Sequence, residues 1–320
     1  MTLEINGLTR KYGDRVAVDD VSFEVRDGRL TGFVGANGAG KTTVMRMILG
    51  VLTPNAGQVT KDGVPLTEAM RRTFGYMPEE RGLYPKMKVH EQLIYFAQLH
   101  GLSKEESAKN AADLLDVLGL AERGNDPVET LSLGNQQRAQ VAVSLVHGPS
   151  ALVLDEPFSG LDPMAVDVIL SVLEANASRG IPVLLSSHQL DVVERLCDDI
   201  VIISEGRIVA QGSIADLQRL HSKGLHRLVL RGPADWLQAH KGVEVVENRA
   251  DEAAGTTAAL LRLDEGAHPG IDQQLLRSAL DEGQVLAFTP ETVRLSAIFK
   301  EAVADNQSEP SGSTDEGKNR

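Results

Sequence analysis

The sequence predicts an α/β domain built on a parallel sheet, followed by a small α+β domain. Two short apolar runs, ALVLD at 151–155 and VLLSS at 183–187, are typical of strands buried on both faces of a parallel sheet. A third apolar strand, Leu30–Val34, leads through a glycine-rich turn into a helix over Lys41–Leu49. After about Leu220 the order of elements becomes βαββαβ, which is typical of a small ferredoxin-like domain.

The composition is that of a globular protein, and its charge argues against one class of partner. The 320 residues are enough for one large domain and a smaller one, and 42% of them are hydrophobic. The formal net charge of -13 disfavours a surface that binds nucleic acid by bulk electrostatics, so we expect no nucleic-acid partner. Cys197 is the only cysteine, which excludes an intramolecular disulfide and fits a reducing compartment.

The sequence contains no segment suited to crossing a membrane. The N-terminal stretch MTLEINGLTRKYGD lacks the apolar core of a signal peptide. Nowhere does the chain approach the roughly 20 consecutive apolar residues that span a bilayer. If the protein serves a membrane process, we therefore expect a separate chain to cross the bilayer.

The first part of the chain alternates between strand and helix patterns. The first 30 residues show the alternation typical of strands, and residues 89–120 read as two helices. Ser103 and Glu106 form a capping box that opens the second of these helices. Residues 200–212 read as a hairpin around the dipeptide Glu205-Gly206.

The pattern after Leu220 predicts a second domain and a tail. The runs LHRLVLRG, VEVVENRA, AALLRLDEG and VLAFTP read as strands, and ADWLQAHKG, IDQQLLRSALDEG and VRLSAIFKEAV read as helices. The last residues, rich in Ser, Gly and charge, are typical of a disordered segment. We therefore expect a first domain over 1–218, an α+β domain over 219–304 and a disordered tail over 305–320.

The strongest motif is GANGAGKT, which matches the phosphate-loop pattern G-x-x-x-x-G-K-[ST]. Backbone N–H groups of such a loop cradle phosphates, and glycine is needed because side chains would block the approach. The lysine supplies a positive charge, the following threonine can bind Mg²⁺, and the helix adds its positive end. The residues expected around the phosphates are Gly35, Ala36, Asn37, Gly38, Ala39, Gly40, Lys41, Thr42 and Thr43.

The second motif, ALVLDEP, places two carboxylates at the end of a buried strand. Ligands gather at the carboxyl ends of strands in open α/β sheets. Asp155 suits Mg²⁺, directly or through water, and Glu156 suits the polarisation of an attacking water. The alternative for both residues is a strand end closed by acids. His188, in SSHQL after another buried strand, could contact a γ-phosphate or the water, or be a structural histidine.

The order of five motifs, GANGAGKTT, LSLGNQQR, ALVLDEP, SGLD and His188, resembles that in ATP-binding subunits of ATP-binding cassette (ABC) transporters. The resemblance covers about residues 1–217. It implies a P-loop NTPase domain with a doubly wound α/β core, an antiparallel β subdomain and a helical subdomain. It also implies that two such domains sandwich two ATP molecules head to tail.

The resemblance gives roles to two further residues. It implies that Tyr12 stacks on adenine from the N-terminal sheet, and that Asp162, at the end of SGLD, lies near the hydrolysis site of the opposing subunit. Tyr12 could otherwise be an ordinary strand-end aromatic residue. The SGLD segment could otherwise be a turn that opens the helix after Pro163.

Two positions depart from the family pattern. The family usually has a glutamine where this chain has Glu79; the carboxylate could bind Mg²⁺ or orient water, with Arg81 as a compensating charge, or be a solvated loop charge. LSLGNQQR has Leu133 where a glycine is commoner. Ser132 is placed to cap the following helix, and its hydroxyl and the Gly134 N–H can face a γ-phosphate. The alternative here is a plain capped helix.

LSLGNQQR, PEERGLYPKM and LSAIFKEAV are similar to a bacterial group that pairs with ABC-2-type export permeases, which includes drug- and sodium-efflux members. The C-terminal domain looks like the accessory domain of that group. The resemblance therefore implies an ATP-hydrolysing export subunit that uses ATP and Mg²⁺ and forms a homodimer through its ATP sites. It also implies a separate integral membrane permease and a cytoplasmic location at the inner face of the cell membrane.

Two other functions remain open at this point. One is a soluble ABC ATPase with a regulatory role or an association with ribosomes or DNA, although such proteins usually carry two nucleotide domains or a long coiled-coil insert. The other is a binding module that has lost hydrolysis, against which Asp155, Glu156 and His188 speak.

Overall fold

The computed structural model describes residues 2–80, 82–251, 253–264 and 266–308. These fall into two compact units, one that contains the chain up to Ile214 together with the chain from Phe299, and one formed by Ala215–Ile298. Arg81 and residues 309–320 of the predicted tail lie outside the described residues. In the described part of the chain, no helix is both long and apolar enough to span a bilayer.

The elements follow one another in this order. The strands are β1 (Leu3–Tyr12), β2 (Arg15–Val25), β3 (Leu30–Val34), β4 (Ala56–Lys61), β5 (Val64–Pro65), β6 (Phe74–Met77), β7 (Ala151–Leu154), β8 (Val183–Ser187), β9 (Asp199–Ser204), β10 (Arg207–Ser213), β11 (Leu225–Arg231), β12 (Val243–Asp251), β13 (Thr256–Leu263) and β14 (Gln284–Pro290). The helices are α1 (Lys41–Ile48), α2 (Glu68–Arg71), α3 (Val89–Leu99), α4 (Lys104–Val117), α5 (Leu133–Leu145), α6 (Pro163–Ala177), α7 (Leu190–Leu196), α8 (Ile214–His221), α9 (Ile271–Glu282) and α10 (Leu295–Ser308).

A six-stranded sheet forms the centre of the first unit, in the order β10-β9-β3-β8-β7-β6. Strands β9, β3, β8, β7 and β6 are parallel, and only β10 pairs in the antiparallel direction, through the predicted hairpin at Glu205-Gly206. The apolar runs of β7 and β8 are buried over their whole length. This confirms the parallel α/β core that the sequence predicts.

The sheet separates two hydrophobic cores, because successive side chains of a strand point to opposite faces. Leu152 and Leu154 of β7 pack in one core with residues of α3, α4, α5 and α6. Ala151 and Val153 of the same strand pack in the other core with α1 and the N-terminal strands. Each strand of the sheet therefore needs apolar residues on both faces.

The N-terminal strands form a second, antiparallel sheet in the order β2-β1-β4-β5. The helices α3, α4 and α5 pack together in the first core, each with buried apolar residues. Ser103 caps α4 in a full capping box, since its side chain accepts from the Glu106 N–H and the Glu106 carboxylate accepts from the Ser103 N–H. The predicted antiparallel and helical subdomains are both present.

The second unit is a four-stranded antiparallel sheet in the order β12-β13-β11-β14. Its elements follow the βαββαβ order, but the first expected helix, ADWLQAHKG, is only a 3-10 turn over Asp235–Ala239. Gly232 and Pro233 precede this segment and Gly242 follows it, and glycine and proline interrupt regular structure at both of its ends. The last helix, α10, continues to Ser308 and so extends past the expected start of the tail at 305.

Helix α5 lies close against β6 because Gly75 has no side chain. A Cβ atom at this position would stand 2.2 Å from the backbone oxygen of Ser144 and 2.7 Å from Cδ2 of Leu152. Neither a helix carbonyl nor a fully buried leucine can move aside cheaply in a close-packed interior. Gly75 thus fixes the distance between α5 and the sheet.

We predict that Gly75→Ala lowers the free energy of unfolding by about 1–3 kcal/mol, because overpacking forces the helix or the strand to shift. Urea unfolding followed by circular dichroism would measure this change. Gly82→Ala is the control, since its Cβ would find only Pro78 Cγ, at 3.8 Å. Equal stability of the two variants would contradict this account of the packing.

Candidate functional site

The functional residues of the first unit follow the carboxyl ends of neighbouring parallel strands. The strand register pairs Val34 with Ser187, Leu154 with Leu185 and Met77 with Leu154. Parallel strands in this register end at the same edge of the sheet. The phosphate loop after β3, the acids after β7, the histidine after β8 and the loop after β6 therefore emerge side by side.

The phosphate loop joins β3 to α1 through backbone that only glycine adopts easily. Gly38 and Gly40 have φ angles of 81° and 111°. A Cβ at Gly35 would stand 2.4 Å from the backbone oxygen of Ile203, so the loop also lies too close to β9 for a larger residue. The N–H groups of the first turn of α1 face the loop without a capping side chain, which leaves them for an anion.

Lys41 and Thr42, the first residues of α1, point their polar groups into this loop. The Lys41 ammonium donates to the backbone oxygen of Gly35 at 2.7 Å and to that of Ala36 at 3.3 Å. Its side chain is buried, so its charge is little screened by water. The Thr42 hydroxyl donates to Oδ2 of Asp155 at 2.9 Å.

Asp155 is buried directly after β7 and holds two other elements by hydrogen bonds. Oδ2 accepts from Thr42 of α1, and Oδ1 accepts from the hydroxyl of Ser186 in β8. The Asp155 N–H donates to the backbone oxygen of Met77 at the end of β6. Burial, reinforced by the Asp155 carboxylate, raises the pKa of the Tyr76 phenol above its usual value.

Glu156 has a left-handed backbone, with φ of 54°, which is uncommon for a residue with a side chain. Such a conformation costs roughly 1–3 kcal/mol and requires support from neighbours. The Glu156 N–H donates to the Ser186 hydroxyl at 2.9 Å, and the Gln137 side chain donates to the Glu156 backbone oxygen at 3.1 Å. Oε1 of Glu156 lies 3.0 Å from Nδ1 of His188.

These residues surround a cavity of about 590 Å³. It is lined by Tyr12, Arg15, Ala17, Asn37, Gly38, Gly40, Lys41, Thr42, Thr43, Glu79, Asp155 and Glu156. Tyr12 is half-exposed at the end of β1, with the Arg10 guanidinium 4.7 Å from its ring centroid. A cavity with an exposed aromatic ring at one side and cationic loop groups at the other suits a nucleotide.

The donor set beside the loop fits Mg²⁺, which prefers oxygen ligands and usually keeps only one or two carboxylates besides phosphates and water. The Thr42 hydroxyl and the Asp155 carboxylate already touch, and Glu79 lines the same cavity. Among the described residues, no group of three or more His, Cys, Asp or Glu side chains could enclose a metal alone. Phosphate oxygens would have to complete the coordination.

Seven of the predicted residues are not in the cavity lining, and four of them, Gly35, Ala36, Ala39 and His188, belong to segments that border it. The other three are Ser132, Gly134 and Asp162. Ser132 caps α5 as predicted, since its hydroxyl accepts from the Asn135 N–H at 3.3 Å. Asp162 caps α6 by accepting from the Ala165 N–H at 2.9 Å. Ser132, Gly134 and Asp162 are not among the residues that line the cavity of their own chain.

The starts of LSLGNQQR and SGLD are neighbours in the same chain. A Cβ at Gly160 would lie 3.2 Å from Cδ2 of Leu133, and a Cβ at Gly134 would lie 3.5 Å from Cδ2 of Leu161. Leu133 therefore fills the space beside Gly160 of SGLD. Its own side chain stays half-exposed, away from the capping hydroxyl of Ser132.

Sequence reasoning missed four polar residues of the site. Arg15 lines the cavity opposite Tyr12 in the β1–β2 pair, and Ser186 connects Asp155 to Glu156. Gln137 and Gln140 of α5 reach the loops that carry Glu156 and Glu79. The available signal was a polar residue beside apolar ones, which holds for Gln140 and Ser186, whereas Gln137 stands in the polar run NQQR and gave no such signal.

The comparisons with known proteins agree on one family. Residues 18–159 match the family described as ABC transporter. An uncharacterized ABC transporter ATP-binding protein of Bacillus subtilis, YhaQ, is 37% identical over 303 residues, which are 94% of this chain and 98% of YhaQ. The Nod factor export ATP-binding protein I of Ralstonia nicotianae is 38% identical over 218 residues, 67% of this chain and 68% of that protein.

A solved structure supports the same assignment. The structure of an ATP-binding subunit of an ABC transporter superposes with a TM-score of 0.64 at 32% identity, covering 69% of this chain and 93% of that one. With the family match, the near full-length similarity to YhaQ and the phosphate loop in its sheet, the chain belongs to the ABC transporter ATP-binding proteins, which hydrolyse ATP to drive transport.

Proposed function

We propose that this chain is the ATP-hydrolysing subunit of an exporter, and that two copies close on ATP to drive a separate ABC-2-type permease. The observation that carries the proposal is the division of the site within one chain. The cavity holds the phosphate loop and the acids, whereas Ser132 and Gly134 stand outside its lining. A second copy, docked head to tail, would bring those two residues to the γ-phosphate.

In this proposal the phosphate loop binds the triphosphate and Tyr12 stacks on adenine. The N–H groups of the loop and of the first turn of α1 donate hydrogen bonds to the phosphate oxygens. The Lys41 ammonium, which already reaches across the loop to Gly35 O, neutralises their charge. Arg15 lines the same cavity and adds a second cation beside Tyr12.

Glu156 is the proposed base that polarises the attacking water. Its carboxylate is held by His188 Nδ1, and its backbone is held by Ser186 and Gln137, so its position is fixed before ATP binds. Mg²⁺ bound at Thr42, Asp155 and Glu79 would supply charge stabilisation to the phosphates. His188 would orient Glu156 and stand close to the γ-phosphate.

Ser132 and Gly134 are the proposed contribution of the opposing copy. The Ser132 hydroxyl and the Gly134 N–H stand in the first turn of α5, where backbone N–H groups and the helix dipole favour an anion. Asp162 caps the nearby start of α6 and would approach the hydrolysis site of that copy. Each nucleotide would then be enclosed by the cavity of one copy and the α5 start of the other.

An aromatic patch formed by Tyr84, Tyr95 and Phe96 supports a membrane partner. The three rings lie 5.5–6.2 Å apart between centroids, and Tyr84 remains 51% exposed. Exposed aromatic clusters are typical of protein–protein interfaces. The patch follows the loop of Glu79 in sequence, so a permease docked there would sense the site through that loop.

The name of one relative, a Nod factor export ATP-binding protein, supports the export direction. We propose a cytoplasmic location at the inner face of the cell membrane, reached through the permease. We also propose that residues 1–218 are the ATP-binding domain and that residues 219–304 act as an accessory domain.

The composite site can be tested by placing a charge at Ser132. Aspartate is as good a helix cap as serine, so Ser132→Asp should keep α5 intact. Its negative charge would face the γ-phosphate of the opposing copy, and we predict a fall in ATPase activity of roughly tenfold or more. Steady-state phosphate release and the affinity of single chains for a fluorescent ATP analogue are the measurements.

Ser132→Asn is the matched control, because asparagine caps a helix equally well without a charge. Single-chain nucleotide affinity should be unchanged in the aspartate variant, since Ser132 does not line its own cavity. Wild-type turnover by Ser132→Asp would contradict the composite site.

The exporter assignment can be tested by purifying the tagged chain from detergent extracts of its own cells. We expect a polytopic membrane protein to co-purify in a fixed ratio, and its reconstitution into vesicles to raise the ATPase rate. Replacing Tyr84 and Tyr95 by serine should reduce the recovered membrane protein. Co-purification of ribosomes, DNA or a soluble partner in place of a membrane protein would contradict the proposal and favour a soluble ABC ATPase.

A further inference from the structure

Two buried glutamines lie one turn apart on α5. Gln137 is 8% exposed and Gln140 is 3% exposed, and residues three apart share one face of a helix. Burying a primary amide without hydrogen bonds is costly, so such residues normally have specific partners. Their partners here are the two loops that carry the carboxylates Glu156 and Glu79.

Gln137 binds the loop after β7. Its Nε2 donates to the backbone oxygens of Glu156 and Pro157, both at 3.1 Å. These carbonyls belong to the two successive peptide bonds that follow the left-handed residue Glu156. Gln137 therefore holds the backbone of the proposed base from the side of the helix.

Gln140 binds the loop after β6 in the same manner. Its Nε2 donates to the backbone oxygen of Pro78 at 2.7 Å and to that of Glu80 at 3.4 Å. Those two carbonyls stand on either side of Glu79. Both contacts are to acceptors, so the amide must present its nitrogen to the loop.

Gln140 contacts the loop through its amide nitrogen, Nε2. Its Oε1 is buried, and within the described part of the chain it has no hydrogen-bond partner. The loop is thus held by one short bond and one long bond from a single nitrogen. These two bonds fix the backbone on either side of Glu79 to α5.

We propose that Gln140 is a positioning residue that sets the Glu79 carboxylate for hydrolysis and ties its loop to α5. Gln140 lies about 12 Å along the helix from the cap residue Ser132, at 1.5 Å per residue, so one helix carries both the residue proposed for the opposing copy and the residue that holds the Glu79 loop. The inference rests on the proposed role of Glu79.

The test is a double-mutant cycle in the full-length chain, with Gln140→Leu, Glu79→Ala and the combined variant. Leucine keeps the volume and removes the donor. We expect Gln140→Leu to lower kcat roughly tenfold with nucleotide affinity unchanged, as for misplacement of a catalytic group. In the Glu79→Ala background, Gln140→Leu should cause no further fall in kcat, because both substitutions remove the same correctly placed Glu79 carboxylate.

Asn110→Ala, on α4, is the control for the loss of another side-chain amide that contacts α5. The Asn110 side chain donates to the backbone oxygen of Val146 at the C-terminal end of α5, away from both loops. This variant should lower thermal stability and keep kcat. If Gln140→Leu does not fold, Gln140→Met takes its place, since methionine adapts to irregular buried space.

Wild-type kcat in Gln140→Leu, or an equal fall with and without Glu79, would overturn the inference. If Glu79→Ala itself has wild-type activity, the role of Glu79 fails, and the inference fails with it. An impaired Glu79→Ala beside a wild-type Gln140→Leu would overturn the inference alone and leave the proposed function standing.

Discussion

The buried carboxylate of Asp155 is the interaction on which the nucleotide site depends. An unpaired charge in the interior costs several kcal/mol, so the chain must supply partners for both oxygens. It does so with Thr42 from α1 and Ser186 from β8. The Asp155 N–H donates a hydrogen bond to the backbone oxygen of Met77 at the end of β6. The partners come from three parts of the sequence, and they meet only if the parallel strands pair in the observed register.

Ser186 extends this arrangement from the proposed Mg²⁺ site to the proposed base. Its hydroxyl donates to Asp155 and accepts the N–H of Glu156, whose left-handed backbone would otherwise relax. One hydroxyl therefore places the two acids of the motif in different roles, Asp155 facing Thr42 and Glu156 facing His188. Helix α5 then holds the Glu156 loop through Gln137, so the catalytic half of the site is supported from both sides.

The sequence was sufficient for those features that local pattern determines. The phosphate loop needs glycines at fixed spacing and a following lysine and threonine, and Ser132 and Ser103 cap helices at positions that their own neighbours define. A strand that is buried on both faces of its sheet is recognisable in the sequence as a continuous apolar run. These features predicted the α/β core and the edge of the sheet where the site lies.

The remaining features depend on contacts between distant residues. Ser186 meets Asp155 across 31 positions and Gln140 meets Pro78 across 62, and no local pattern encodes either pairing. The segment near Asp235 forms a 3-10 turn where a helix was expected, and glycine and proline interrupt regular structure at both of its ends. In the same way, one chain alone cannot reveal which surface completes its site, since Ser132 caps α5 whether or not a second copy docks.

We propose that Glu156 acts as the base in a site completed by a second copy. The most direct measurement is the mass of the Glu156→Gln variant by light scattering, with and without ATP, alongside its rate of phosphate release. Glutamine preserves the shape of the side chain and removes the base. We therefore expect an ATP-dependent dimer and a fall in turnover of roughly a hundredfold or more. Turnover at the wild-type rate, or a single-chain mass in saturating ATP, would contradict it.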